Sequence, residues 1–170
     1  GRAPMFAPFR IGQMELANRI VVSPMAQYKA VDGCPTDWHF VHYAERAKGG
    51  TGLIVTGGFS PNFAGRMKNE PSTFERPDQV ADHRKITAPV RAAGGRIVLQ
   101  ILHAGRYGYH PAVVAPSPIK SPINRDVPAE LTSAEIEETI ANYATTARLA
   151  VEAGYDGVEI MGSEGYLISE

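Results

Sequence analysis

"TSAEIEETIANYATTARLAVEAGYDGVEIMGSEGYL" (132–167) is the stretch on which the fold turns. It opens with T-x-x-E, a spacing that lets the Thr132 and Glu135 side chains bond each other's backbone N–H groups at a helix start. Ile136, Ile140, Tyr143, Ala147 and Val151 follow at helical spacing, which predicts one apolar face turned to a core. Gly154 ends the helix. "YDGVEIMG" (155–162) then reads as a short buried strand, and Glu164 and Tyr166 fall in the loop beyond it. Helix, strand and a polar loop after the strand form the repeating unit of α/β proteins.

The same unit reads upstream. "NRIVVSPM" (18–25) is a β-branched run stopped at Pro24. "PTDWHFVHYAERAKGG" (35–50) reads as a helix with Thr36 or Asp37 as its cap, Phe40, Tyr43, Ala44 and Ala47 on one face, and Gly49–Gly50 as its stop. "TGLIVTGG" (51–58) is a second strand. "RPDQVADHRKITAPVRAAGG" (76–95) is a second helix, in which Pro89 predicts a kink or a break. "RIVLQILHAGR" (96–106) is the third strand. The proline-rich stretch 113–131 is too long for a simple turn. At the start, "MFAPFRIGQMELANR" (5–19) alternates about Gly12 like a small hairpin. The order β-α-β-α-β-α-β implies parallel strands joined by right-handed crossovers.

An open doubly wound sheet and part of a (β/α)8 barrel both fit that order. A dinucleotide-binding sheet carries G-x-G-x-x-G after a strand, and the glycines of "TGGFSPNFAG" (56–65) are wrongly spaced for it. Polar residues and glycines instead gather after each successive strand: Ser23, Met25 and Tyr28; Gly57 and Gly58; Gln100 and His103; Glu164 and Tyr166. That is the barrel pattern, with a site at the C-terminal face.

With 17 basic and 18 acidic residues the formal net charge is -1, which gives no electrostatic reason to propose nucleic acid or an anionic membrane as a partner. No apolar run approaches the roughly 20 residues of a membrane span, and the start lacks a secretory pattern. One cysteine, Cys34, excludes an intrachain disulfide or a multi-cysteine cluster within these residues and points to a cytoplasmic, reducing compartment. His39 and His42 lie three apart with no third ligand in view, so helix packing explains them better than a metal, and no metal is expected. From pattern alone, Gln100 could simply satisfy a buried polar neighbour and Gly57–Gly58 could simply end a strand.

"NRIVVSPMAQY", "HFVHYAERAKGGTGLIVT", "LQILHAGR", "APSPI" and "AGYDGVEIMGSEGYL" together resemble the old yellow enzyme family of FMN-dependent ene reductases. The match runs from about Pro4 to the last residue. "GGRIVLQILHAGRYGYHP" and "EIMGSEGYLI" look most like its 2,4-dienoyl-CoA reductase branch, and "SPMAQYKAVDG" more like the classical single-domain members. The resemblance implies residues 1–170 as the N-terminal half of an FMN-binding (β/α)8 barrel, with a hairpin at 1–19 and a long loop at 107–131. It places Ser23, Pro24, Met25 and Ala26 beside the flavin ring. Gly58 permits close approach to it, and Gln100 meets the pyrimidine edge. Ala26 stands where members often have a hydroxyl or thiol.

Tyr166 aligns with the tyrosine that protonates the substrate after hydride passes from the flavin, which NAD(P)H reduces. Tyr28 and His103 become possible substrate contacts. Classical members grip the substrate carbonyl with a histidine pair or a His/Asn pair, and here those positions are Met161 and Glu164. The expected reaction is reduction of an activated C=C bond in an enone or 2,4-dienoyl thioester. The alternative is a non-catalytic half-barrel scaffold. In either case four strands leave open edges, so self-association or a complementary half-barrel chain is expected.

Overall fold

The computed structural model describes residue 1 and residues 3–170. A four-stranded parallel sheet forms its centre, built from β3 (Val21–Val22), β4 (Leu53–Val55), β5 (Ile97–Ile101) and β8 (Gly157–Ile160), adjacent in that order. Three helices cross between them: α1 (Asp37–Lys48), α2 (Val80–Ala92) and α3 (Ser133–Glu152). Four strands joined by three helices are successive strand–helix steps of a (β/α)8 barrel, here a half-barrel, as the order of elements predicts. β1 (Phe9–Ile11) and β2 (Met14–Leu16) pair antiparallel as an N-terminal hairpin. Two short segments in the long loop, β6 (Val114–Ala115) and β7 (Ala129–Glu130), pair parallel with each other. No described helix is long and apolar enough to cross a membrane.

The two faces of the sheet bury different things. Ile54, Ile97, Leu99 and Ile101 meet Tyr43, Ala47, Ile86, Val90 and Leu149 of the three helices in one core. On the other face, Leu53, Val55 and Val98 pack on Leu16 of the hairpin. The hairpin therefore plugs the N-terminal end of the barrel interior and leaves the C-terminal end for chemistry. Each fully buried Leu or Ile contributes about 1.5–3 kcal/mol.

Local signals hold where the sequence makes them explicit. The Thr132 N–H donates to Glu135 Oε2 at 2.7 Å and the Glu135 N–H to Thr132 Oγ1 at 3.2 Å, a closed capping box. α1 buries Tyr43, Ala44 and Ala47 as its spacing predicts. Two expectations need correction. Of the kink or break expected at Pro89, the break does not occur: α2 runs on through Pro89, which sits on the exposed face, where the carbonyl it leaves unbonded can meet water. The apolar stripe of α3 meets the core only in part: Tyr143 and Ala147 pack against it, whereas Ile136, Ile140 and Val151 are 41, 58 and 71% exposed, and Thr139, Thr146, Leu149 and Ala150 are buried. β8 is an edge strand, so no neighbouring unit packs against that side of α3. The buried threonines are satisfied through backbone carbonyls, Thr139 Oγ1 donating to Glu135 O at 2.7 Å and Thr146 Oγ1 to Phe74 O at 2.6 Å.

Candidate active site

Every loop that follows a strand of the sheet leads to the same end of the half-barrel. After β3, Ser23, Pro24, Met25 and Ala26 run on as exposed extended chain. After β4, the Gly57 N–H donates to the buried Tyr43 hydroxyl at 3.0 Å, which ties the strand end to α1. A Cβ on Gly57 would collide with the Met25 carbonyl, so glycine is what allows the first two strand ends to touch. Gly58 has a packing role of its own, since a Cβ there would lie 2.7 Å from Leu102 Cβ and 3.1 Å from Gln100 Oε1.

Gln100 is buried on the inner face of β5, in register with Glu159 of β8. Its Nε2 donates to Glu159 Oε2 at 2.9 Å. The amide is thereby fixed from one side, and Oε1 is free of protein donors among the described residues. The bland alternative for Gln100, satisfaction of a buried polar neighbour, is thus realised in part.

The loop after β8 is shaped by backbone conformation. Glu164 at φ +64° and Gly165 at φ +82° are consecutive left-handed residues, a costly geometry for the glutamate. A Cβ on Gly165 would lie 2.6 Å from the Tyr107 ring. The Leu167 N–H donates to His103 O at 3.2 Å and the Gly165 N–H to Ser169 Oγ at 3.0 Å. Tyr166 is carried half-buried on this turn, edge-on to Tyr107 with centroids 6.1 Å apart. Burial raises its pKa above the ordinary phenol value, and the nearby Glu164, Tyr28, Tyr109 and Tyr107 raise it further. Tyr166 is an acid held in its protonated form at neutral pH.

Ala26, Tyr28 and Gly58 line a cavity of about 250 Å³ between the loops after β3 and β4. Tyr28 is exposed, at φ +51°, with Lys68 Nζ 4.0 Å above its ring centroid. Ser23, Pro24, Met25, Gln100 and Tyr166 stand at the same sheet end but outside that cavity. His103 is set apart. It is buried beneath Gly65, its Nδ1 accepts the Gly105 N–H at 3.1 Å, and burial pushes its pKa down to about 4. Sequence reasoning assigned His39 and Tyr43 to helix packing and passed over Lys68; all three also line the cavity. The only signal was their place on the face of α1 or in a loop after a strand. A second buried histidine, His83, stacks on Phe74 at 3.8 Å and lies with Nδ1 2.7 Å from the Tyr155 hydroxyl, inside the helix-side core.

The sequence pattern of the NADH:flavin oxidoreductase / NADH oxidase family matches residues 4–170. The chain belongs to this family. It is 40% identical over 173 residues to a metal reductase from Desulforamulus reducens, covering 98% of this chain and 25% of that protein. It is 37% identical over 169 residues to an NADPH dehydrogenase from Listeria monocytogenes serovar 1/2a, covering 98% of this chain and 50% of that protein. Among solved structures, morphinone reductase in complex with tetrahydroNAD superposes with a TM-score of 0.90 at 25% identity, covering 98% of this chain and 51% of the other. The old yellow enzyme homologue from Zymomonas mobilis gives 0.89 at 31% identity, with 97% and 50% covered. The chain spans about half the length of these dehydrogenase and reductase relatives, and a quarter of the metal reductase.

Membership in the old yellow enzyme family implies FMN as cofactor and NADH or NADPH as reductant. The residues present fit the ring of that cofactor. Gln100 keeps Oε1 free beside Gly58, at the end of the barrel interior that the hairpin leaves open, where it can accept an N–H from a pyrimidine edge. The exposed backbone of residues 23–26 lies alongside.

Proposed function

We propose that this chain supplies the ring-facing and proton-donating part of an FMN-dependent reductase that acts on activated C=C bonds. The observation that carries the reading is Tyr166: a half-buried phenol, kept protonated and fixed by a left-handed turn at the sheet end that Gln100 also reaches. FMN, when bound, would supply the hydride chemistry, directed at the substrate β-carbon. Tyr166 gives the proton to the α-carbon, so one hydride and one proton saturate the bond. Ser23, Pro24, Met25 and Ala26 would hold one edge of the ring through backbone contacts, and Gln100 would orient the pyrimidine edge. Gly58 keeps Gln100 and Leu102 in place. Tyr28 contacts substrate at the cavity mouth, whereas the burial of His103 fits a role in setting the loop that receives Tyr166. The reading extends to an enone or a 2,4-dienoyl thioester, with the dienoyl branch supported by the motif around 94–111 and by Met161 and Glu164 in place of a histidine pair. A cytoplasmic setting suits the lone, half-buried Cys34.

The test is anaerobic. Flavin bound to the protein is reduced, an enone is added, and the return of oxidised-flavin absorbance is followed. Reoxidation by the enone supports the reading, and bound flavin that stays reduced overturns it.

A second reading, a scaffold that assembles through its edges, is favoured by one observation. β3 and β8 are both open edges, and Trp38 and Val41 of α1 join Ile136 and Ile140 of α3 as exposed apolar residues. We infer that these edges pair with another half-barrel, either a second copy or a complementary chain. Such pairing is compatible with the reductase reading.

A further inference from the structure

No hydrogen bond among the described residues fixes where the Tyr166 ring points. The bonds at this turn act on the main chain: Ser169 Oγ accepts the Gly165 N–H and donates to Tyr166 O at 3.2 Å. They hold the backbone through the left-handed pair Glu164 and Gly165 and leave the direction of the ring to packing. The aromatic ring packed against it is Tyr107, which arrives edge-on from the short turn after β5.

That turn is itself anchored. It spans Gly105–Tyr107, opens with Gly105 at φ +57°, and is closed by the Tyr107 N–H donating to Ala104 O at 3.1 Å. The guanidinium carbon of Arg106 lies over the Tyr107 ring, 5.5 Å from its centroid, and steadies it from that side. Two bonds tie this stretch to the chain around Tyr166. The Leu167 N–H donates to His103 O, and the Arg106 N–H donates to Glu170 Oε1 at 2.8 Å. Between them the Tyr107 ring fills the space that a side chain on Gly165 would need. The positive φ of Gly165 and the bulk of Tyr107 thus call for the same residue.

We infer that Tyr107 is a positioning residue: its ring, seated over Gly165 and edge-on to Tyr166, sets the direction in which the Tyr166 hydroxyl points. This role rests on the reductase reading for what Tyr166 does, and not for how its ring is held. A proton donor works only within hydrogen-bond reach of the atom it serves, and a misplacement of about 1 Å can cost about 10²-fold in rate. Tyr107 needs no contact with flavin or substrate to act in this way. Its own hydroxyl is not required, because what it supplies is the body of the ring.

The experiment compares Tyr107→Ala, which removes the ring, with Tyr107→Phe, which keeps it. Tyr107 is half-buried and outside both cores, so the two variants should keep the fold. NMR of the tyrosine rings, in the chain without flavin, reads Tyr166 directly, with its signals assigned by Tyr166→Phe. The unmodified protein shows a nuclear Overhauser contact between the two rings and a Tyr166 titration above the ordinary phenol value. Tyr107→Ala brings that titration down toward about 10 as water reaches the phenol, and Tyr107→Phe keeps it raised. Glu164, Tyr28 and Tyr109 stay in place in both variants, so the difference reports Tyr107. With flavin bound and reduced, Tyr107→Ala slows reoxidation by cyclohex-2-enone about ten- to hundredfold. It leaves flavin reduction by NADPH unchanged and costs nothing further in a Tyr166→Phe background. Absence of the ring contact, a Tyr166 titration indifferent to Tyr107→Ala, or losses from Tyr107→Ala and Tyr166→Phe that multiply would each overturn the inference. A Tyr166 ring that responds to Tyr107→Ala, in a protein whose reduced flavin ignores enones, would leave the positioning role standing and remove the reductase reading. Enone reduction that needs Tyr166 but is indifferent to Tyr107→Ala would do the reverse.

Discussion

In the role proposed for it, Tyr166 has to keep its proton, and its surroundings favour that. A phenol whose pKa lies above its ordinary value loses its proton only on the far alkaline side. Enone reduction by the flavin-bound protein should therefore hold through neutral pH and fall only above about pH 10. Tyr166→Phe should slow enone-driven reoxidation by about 10²–10⁴-fold and leave reduction of the flavin by NADPH unchanged; equal losses in both half-reactions would deny the tyrosine its role. The buried histidines make a separate claim on pH. His39, His83 and His103 have pKa values pushed by burial to about 4, 3 and 4. An unfolded histidine takes a proton near pH 6.5, so below that value the unfolded chain binds more protons than the native one. Stability should be full above about pH 6.5 and decline as pH falls toward 4, by up to about 1.4 kcal/mol per pH unit for each histidine. Urea midpoints at pH 7.5 and 5 measure this, and identical midpoints would contradict it.

Among the elements, α3 shows both what could be read in advance and what could not. Its start was legible because Thr132 and Glu135 bond each other within one turn. The strand order was legible because short β-branched runs alternate with capped helices. Its buried face was not, because burial there depends on partners far along the chain. Thr146 donates to the Phe74 carbonyl, which no spacing rule announces, and His83 is accommodated by Phe74 and Tyr155 in the same way. Strand-end glycines and Tyr166 were legible through their positions after strands, whereas His39 and Tyr43, which line the cavity, looked like ordinary helix packing. Two substitutions separate the faces of α3. Leu149→Ala should cost about 2–5 kcal/mol of stability, while Ile140→Lys should change it by no more than about 0.5 kcal/mol. Thermal or urea unfolding reads both, and a large loss for Ile140→Lys would mean that its exposed stripe is covered in solution.

For the molecule as a whole, the parallel sheet has a finished N-terminal end and unfinished sides. Leu16 of the hairpin closes the interior from below, while β3 and β8 are open along their outer edges. Open edges invite pairing, so the chain should run as a dimer or larger species in size-exclusion mass measurements; a monomer with slow amide exchange in β3 and β8 would contradict that. The residues assigned to the cofactor, 23–26, Gly58 and Gln100, are all assigned to its ring. This chain is therefore expected to recognise the isoalloxazine and not the phosphate. Flavin fluorescence titrations with FMN and with riboflavin, on the unmodified chain and on Gln100→Leu, test it most directly. Both flavins should be quenched with the same Kd, weakened about tenfold by Gln100→Leu. FMN binding without riboflavin binding, or no quenching of either, would contradict it.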